Sequence, residues 1–433
     1  MTTPPTNGTT AGHVQRVYLL LTLLTTLAAS FIWGVNTLFL LDAGLSNTEA
    51  FAANAFFSVG MVIFEVPTGV VADTRGRRFS FILGAGTLLL STLLYLVMWQ
   101  ISAPFIGWAL SSILLGLGFT FFSGATEAWL VDALDASGYT GKLDTVFGRG
   151  QTVAGIAMLT GSVLGGVVAQ LTNLGVPYVL RAIRLGVALL AAVWFMRDLG
   201  FTPKTGVSTR TAVRDVARGS VDAGLRNRPV RWMMLAAPFT GGIAFYAFYA
   251  MQPYLLELYG DPTAYSIAGL AASLGALAQI LGGMSVPFAR RFFSLRTNLL
   301  LVAVALEVLI LLGIGAVGLM QDDLGMMAFY LAVVLLALWA LVAAVAGPVR
   351  QAFINGVIPS DQRATVLSFD SLMSSLGGVV AQPALGRVAD VSGYAASYVV
   401  SGAVSALALP FIFMAKREQA PSDPIDASEP VSS

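Results

Sequence analysis

Gly69-Val-Val-Ala-Asp73-Thr-Arg75-Gly76-Arg77-Arg78 decides the fold, because it sets a compact charged turn between two apolar runs. The flanking runs, residues 49–72 and 80–101, each exceed the roughly 20 residues a helix needs to cross a hydrocarbon core. A link this short returns the chain to the bilayer at once, so both runs read as membrane helices.

The composition agrees. Of 433 residues 56% are hydrophobic and 11% charged, with a mean hydropathy of +0.79, too little charge to cover a soluble surface. A net charge of +1, with the bases scattered over short loops, gives no nucleic-acid footprint. The chain has no cysteine, which excludes disulfides, thiolate metal sites and cysteine nucleophiles. The single histidine, His13, lies in a polar tail, so no metal or cofactor is expected, and an intramembrane proton carrier must be a carboxylate. Residues 1–16 read as a disordered tail without the basic start and cleavage site of a secretory signal, and residues 416–433 read as a second disordered tail.

Splitting the apolar runs at charged, Pro and Gly-rich breaks predicts an all-α integral membrane protein with twelve transmembrane helices. Their approximate limits are 17–41, 49–72, 80–101, 105–131, 147–171 and 177–196 in a first half, domain 17–196. A second half, domain 231–415, gives 231–256, 264–289, 296–318, 325–348, 365–386 and 393–415. Between them, 197–230 reads as a linker with a surface helix, its apolar Val213, Val216, Ala217, Val221 and Leu225 opposite Arg210, Arg214 and Arg218. The heptapeptide LGGVVAQ occurs at Leu164–Gln170 and at Leu376–Gln382, in spans 5 and 11, where duplication of a six-helix bundle would put equivalents. Two pseudo-symmetric six-helix bundles that rock about a central site are expected.

Placing the amino terminus in the cytoplasm puts 21 of the 24 bases on that side and leaves Arg181, Arg184 and Arg387 outside or near the outer ends. The positive-inside rule then sets both termini in the cytoplasm of a plasma membrane.

The 2–3 loop resembles the signature of the major facilitator superfamily, Gly-x-x-x-Asp-Arg/Lys-x-Gly-Arg-Arg/Lys, with Thr74 where a base is usual. The resemblance covers about residues 17–415 and implies the major facilitator fold, alternating access and a monomer. It also implies a gating motif of Gly69, Asp73, Arg75, Gly76, Arg77 and Arg78, in which Asp73 faces the start of helix 11 near Thr365 to Ser368, with Arg363 close by, and stabilises an outward-facing state. The alternative is that these charges only fix topology. Span 5 carries Gly148, Ala157, Gly161, Ser162, Gly165 and Gly166, which resembles the helix-5 signature of the superfamily's drug/proton antiporters. Ala157 and Ser162 depart from that signature, and generic small-residue packing is the plainer account. In span 4, Ser112 before Gly116 and Gly118 replaces the arginine those antiporters use.

Two carboxylates stand in its place, Glu65 in span 2 and Glu127 in span 4. Burial in a membrane favours the protonated form, so either is a proton-coupling candidate, the alternative being a structural pair with Arg75 or Arg149 beneath the gate. Glu307 in span 9 is expected to be a structural contact to span 12, the alternative being a lone protonated residue; Asp370 is expected to join the gate; and Arg181 and Arg184 are expected to snorkel to the outer interface, the alternative being that they attract an anionic substrate. In the resembling fold spans 1, 4, 7 and 10 line the cavity. Here they offer Trp33, Asn36, Phe119, Phe122, Phe245, Tyr246, Phe248, Tyr249, Gln252 and Trp339, a lining suited to an amphipathic or lipophilic molecule.

The expected function is secondary transport, proton-coupled efflux of small lipophilic compounds, with the bilayer, a small-molecule substrate and protons as partners. The alternative is a nutrient or metabolite importer or facilitator without proton coupling. An enzyme would need clustered His, Asp or Glu at a membrane face, and the dispersed carboxylates argue against one. A channel has no evident use for duplicated halves.

Overall fold

The computed structural model describes residues 10–122, 124–203, 211–214, 224–358 and 363–425, excluding the side chains of 363–365. The apolar runs fold as helices, since a backbone in hydrocarbon must satisfy its own polar groups. Span 1 is α1 (Ala11–Trp33) and the short α2 (Asn36–Asp42); spans 2 and 3 are α3 (Asn47–Arg75) and α4 (Arg77–Gln100). Span 4 is broken into α5 (Phe105–Thr120) and α6 (Ala125–Ala136), and spans 5 and 6 are α7 (Leu143–Leu171) and α8 (Gly175–Phe195).

Beyond the linker, spans 7 to 9 are α9 (Arg228–Tyr259), α10 (Tyr265–Arg290) and α11 (Arg296–Leu319). After α12 (Gln321–Leu324), span 10 is α13 (Met326–Asn355). Spans 11 and 12 run through α14 (Arg363–Ala406), interrupted at Gly393 (φ 82°), into α15 (Ala408–Arg417). The twelve spans form the two six-helix bundles expected, and among the described residues there is no regular strand.

Small residues set how closely the helices approach. In the first bundle span 5 packs on span 1, where a β-carbon on Gly165 would overlap the Phe31 carbonyl. In the second, span 11 packs on span 7, where one on Gly377 would overlap Pro238. These glycines occupy the same place in the two heptapeptide copies, so the repeated sequence makes the repeated contact. Spans 2 and 11, and spans 5 and 8, join the bundles to each other. Buried aromatic clusters fill each interior: Phe39, Tyr95, Trp108 and Tyr178 in the first, Tyr246, Tyr254 and Tyr398 in the second.

Both tails correct the expectation of disorder over 1–16 and 416–433. Helix α1 begins at Ala11, where Thr10 caps it by accepting from the His13 N–H at 3.3 Å. Lys416 and Arg417 complete α15, and the chain then docks as far as Ile425. Asp423 accepts from the Thr297 N–H and hydroxyl, each at 2.8 Å, so it caps the start of α11. Arg296 donates to the Ser422 and Pro424 carbonyls, and Ala420 is buried. Residues 1–9 and 426–433 lie outside the described residues. So does most of the expected linker helix, of which Thr211–Arg214 is helical.

Candidate functional site

Helix direction puts the 2–3 loop and the other arginine-bearing links at one end of the molecule, and Ser46, Ser102, Gly260 and Gly393 at the far end. At the far end the bundles are tied together. Ser46 opens α3 with a capping box to Glu49, leaving the N–H groups of Asn47 and Thr48 without a partner in their own helix. Asp390 of the second bundle accepts both at 2.9 Å, and the Thr48 hydroxyl as well. Burial pushes the Asp390 carboxyl up, but the hydrogen bonds from Thr48 and Asn47 outweigh it and hold the group below the usual aspartate range. Tyr394 adds a bond from its hydroxyl to the Asn47 side chain. Gln170 of span 5 accepts from the Ser266 N–H of span 8 at 3.1 Å, where a β-carbon on Gly269 would lie 3.0 Å from the Gly166 Cα.

Gln252 makes the deepest tie. Span 1 breaks at Gly34 and Val35, so the Thr37 N–H and the Trp33 carbonyl, four residues apart, do not bond to each other. The fully buried Gln252 amide stands between them: Oε1 accepts from Thr37 and Nε2 donates to Trp33, both at 2.9 Å. A side chain of one bundle thus repairs the helical ladder of the other.

Beneath this plug lies a cavity of about 810 Å³ between the bundles, adjoining a lobe of about 440 Å³. Of the expected lining residues, Trp33 and Trp339 face both spaces, and Asn36, Phe119, Phe245, Phe248 and Tyr249 line the larger or both. Gly283, Gly347, Pro348 and Ser374 carry its wall toward the arginine-rich end. Three expectations are corrected. Tyr246 is fully buried and bonds to Ser397, Gln252 is the plug, and Phe122 packs on Phe81 at 4.7 Å. In each the chosen face of the helix turns from the cavity toward its own bundle or the closed end.

Sequence reasoning placed Arg181 at the outer interface; it lies inside. Only 2% exposed, it donates from Nε to the Thr92 hydroxyl at 3.0 Å and from Nη1 to the Ala28 carbonyl at 3.2 Å. It also stands over the Phe119 ring and lines the larger cavity. A usable signal was the face it shares with Leu185, Ala188 and Ala192, all buried, whereas Ile183, Arg184, Val187 and Leu190 are exposed. Small side chains mark the packed face of a membrane helix. Asn54, bonded to Asn36 at 2.8 Å, was also missed.

Among the described residues, several contacts hold the arginine-rich loop to its own bundle. Asp73 pairs with Arg77 at 2.6 Å, Arg77 lies 3.9 Å from Asp132, and Arg78 donates its N–H to Asp198 at 2.8 Å and a guanidinium N–H to the Val193 carbonyl. Gly76 has φ 108°, and a β-carbon there would overlap Asp198, so the turn and its clasp both need glycine. Arg75 lies over Phe79. The Arg363 and Thr365 side chains, expected near Asp73, lie outside the described residues. Gly69 and Gly148 have open space where a β-carbon would point. Gly161 packs on Ser30, Gly165 on Phe31 and Gly166 on span 8.

The carboxylates differ from expectation in burial. Glu127 is exposed in the first turn of α6, where the helix dipole favours a negative charge, and Glu65 is half-buried. Neither lines the two cavities. Glu307 is buried in span 9. Asp370 pairs with Arg350, which also donates to the Met233 carbonyl, so it binds spans 7, 10 and 11 together within the second bundle. No group of three or more metal-ligating side chains occurs among the described residues.

The Major Facilitator Superfamily family model matches residues 18–328. No curated protein matches the sequence. Among solved structures, the chain is similar to the nucleoside transporter NupG, with 12% identity, 93% of this chain and 98% of that one covered, and a TM-score of 0.74. It is similar to a bacterial homologue of the iron transporter ferroportin in an inward-facing state, with 15% identity, 93% and 98% coverage and a TM-score of 0.72. A bacterial homologue of the human lysosomal transporter Spinster, inward-facing and occupied, gives 15% identity, 98% and 100% coverage and a TM-score of 0.69. At these identities the likeness is one of fold.

Proposed function

Because the chain belongs to the Major Facilitator Superfamily, we propose that this transporter carries a small organic solute by alternating access, with residues 17–196 and 231–415 as the moving bodies and 197–230 as their link. The carrying observation is the asymmetry of the cavity, plugged at the far end by Gln252 and Asp390 and extending toward the arginine-rich end. With the arginine-rich loops in the cytoplasm, by the distribution of bases, the conformation described is inward-facing. The solute lies in the aromatic cavity, and the protein works as a monomer in the plasma membrane. The 2–3 loop acts as the gate on the cytoplasmic side.

The working cycle is export coupled to protons. The candidate carriers are Glu127, water-accessible at the cytoplasmic side of the broken span 4, and the half-buried Glu65 in span 2. Span 5, with its antiporter-like glycines, is the hinge that keeps contact with span 8. Proteoliposomes holding a pH-sensitive dye test this. Solute-dependent proton flux in wild type, abolished in Glu127→Gln or in Glu65→Gln, is the expected result. Solute movement without proton flux refutes the coupling and leaves a facilitator.

A further inference from the structure

Among the described residues, Arg181 is the one charged side chain that lines the larger cavity. Its Nε and Nη1 are bonded to Thr92 and Ala28. Among the described residues no carboxylate lies within ion-pair distance of it, and Nη2 has no hydrogen-bond partner. Holding a hydroxyl and a carbonyl needs donors, not a charge, so the structural contacts alone do not account for an uncompensated guanidinium in a membrane interior.

Two further groups lining the same cavity are unsatisfied. Asn54 Nδ2 from span 2 and Trp339 Nε1 from span 10 are buried without partners, their residues 4% and 9% exposed. Both are N–H donors, as is the guanidinium. Among the described residues, the buried polar atoms of this lining without partners are both donors and its one fixed charge is positive, a combination that asks for acceptor oxygens bearing negative charge. Around them the lining is aromatic, with Trp33, Phe245 and Phe248.

We propose that the cavity binds an organic anion, an apolar or aromatic body carrying a carboxylate or sulfonate. The anionic group meets Arg181 on the first-bundle side, Asn54 and Trp339 donate to its oxygens or to other acceptors of the molecule, and the body lies on the aromatic wall. The same charge rejects organic cations. This names the solute class of the site read above as a transport site and rests on that reading.

The test compares three probes of one shape in nanodiscs holding the full chain, with empty nanodiscs subtracted: naphthalene carboxylate, naphthalene carboxamide and naphthylmethylammonium. Wild type is expected to bind the carboxylate at least about tenfold more tightly than the carboxamide, and the ammonium most weakly. Arg181→Met is expected to lose about thirtyfold or more for the carboxylate while keeping its carboxamide affinity, and Arg181→Lys to retain the preference for the anion. Equal binding of the three, tighter binding of the ammonium, absent binding of the carboxylate, or a preference that survives in Arg181→Met overturns the proposal. Should Arg181→Met not fold, the wild-type series decides alone. Spin-label distances across the far end use no probe, so failure of alternating access is seen separately from failure of the anion assignment.

Discussion

Replacing Gln252 with leucine keeps the volume of the plug and removes only its bonds. In the closed far end this leaves the Trp33 carbonyl and the Thr37 N–H unserved, at a cost of about 1–3 kcal/mol for each buried polar group. Part of that cost returns, because the two groups stand four residues apart and span 1 can straighten to bond them directly, regaining about 1 kcal/mol. The net loss falls on the closed state alone, since in a far-end-open state Gln252 withdraws from span 1. The net bias of about 1–5 kcal/mol shifts the closed-to-open ratio by a factor of about 5 to several thousand. The absence of cysteine lets nitroxides be placed without background, on Ser102→Cys and Asp322→Cys in exposed far-end links of the two bundles and on Asp135→Cys and Arg417→Cys at the arginine-rich end. Pulsed electron spin resonance should show the far-end distance lengthen in Gln252→Leu as the other shortens. Unchanged distance distributions in a folded Gln252→Leu would refute the role of the amide as a latch.

Other perturbations test the remaining contacts. Asp390→Asn should weaken far-end closure by up to about 1 kcal/mol, as expected of a charge at an exposed helix start. Because the closed state lowers the Asp390 pKa, closure is favoured while the group is ionised and weakens as pH falls through that lowered value; the far-end spin-label pair should open on acidification in wild type and not in Asp390→Asn. Gly76→Ala forces a side chain onto φ 108° and against Asp198, so the melting temperature should fall with a loss of about 1–3 kcal/mol. Arg350→Met leaves Asp370, 7% exposed, without its partner. That should cost about 3–5 kcal/mol, and the double variant with Asp370→Leu should recover most of it in the same thermal assay.

Much of the fold was legible because a bilayer reduces the choices. A run such as 80–101 has to be a helix, and its orientation follows from whichever end carries the bases. The duplicated heptapeptide was informative for the same reason, since Gly165 and Gly377 are needed wherever one backbone crosses another closely. The termini were not legible, because polar composition argues against a core of their own and says nothing about docking on someone else's. Asp423 and Ala420 are ordered by the start of α11, a surface that exists only after the second bundle has formed.

The site was legible in type and misread in place. Hydropathy locates a residue along a span but not around it, and function here depends on azimuth. Tyr246 and Tyr249 are three residues apart in one run, yet Tyr246 turns into its own bundle while Tyr249 faces the cavity. Arg181 shows the larger error. Lying six residues into α8, it is about 9 Å below the helix start, a depth from which an arginine reaches water only if its face points outward. Its face carries alanines, the mark of packing, while the neighbouring Arg184 shares the lipid side with Ile183 and Val187. The charge that sequence reasoning sent to the interface for its cost is the one the bundle retains beside its cavity. A retained cost of that kind, with donors unmet around it, is more informative about a ligand than the aromatic residues that any membrane core would supply.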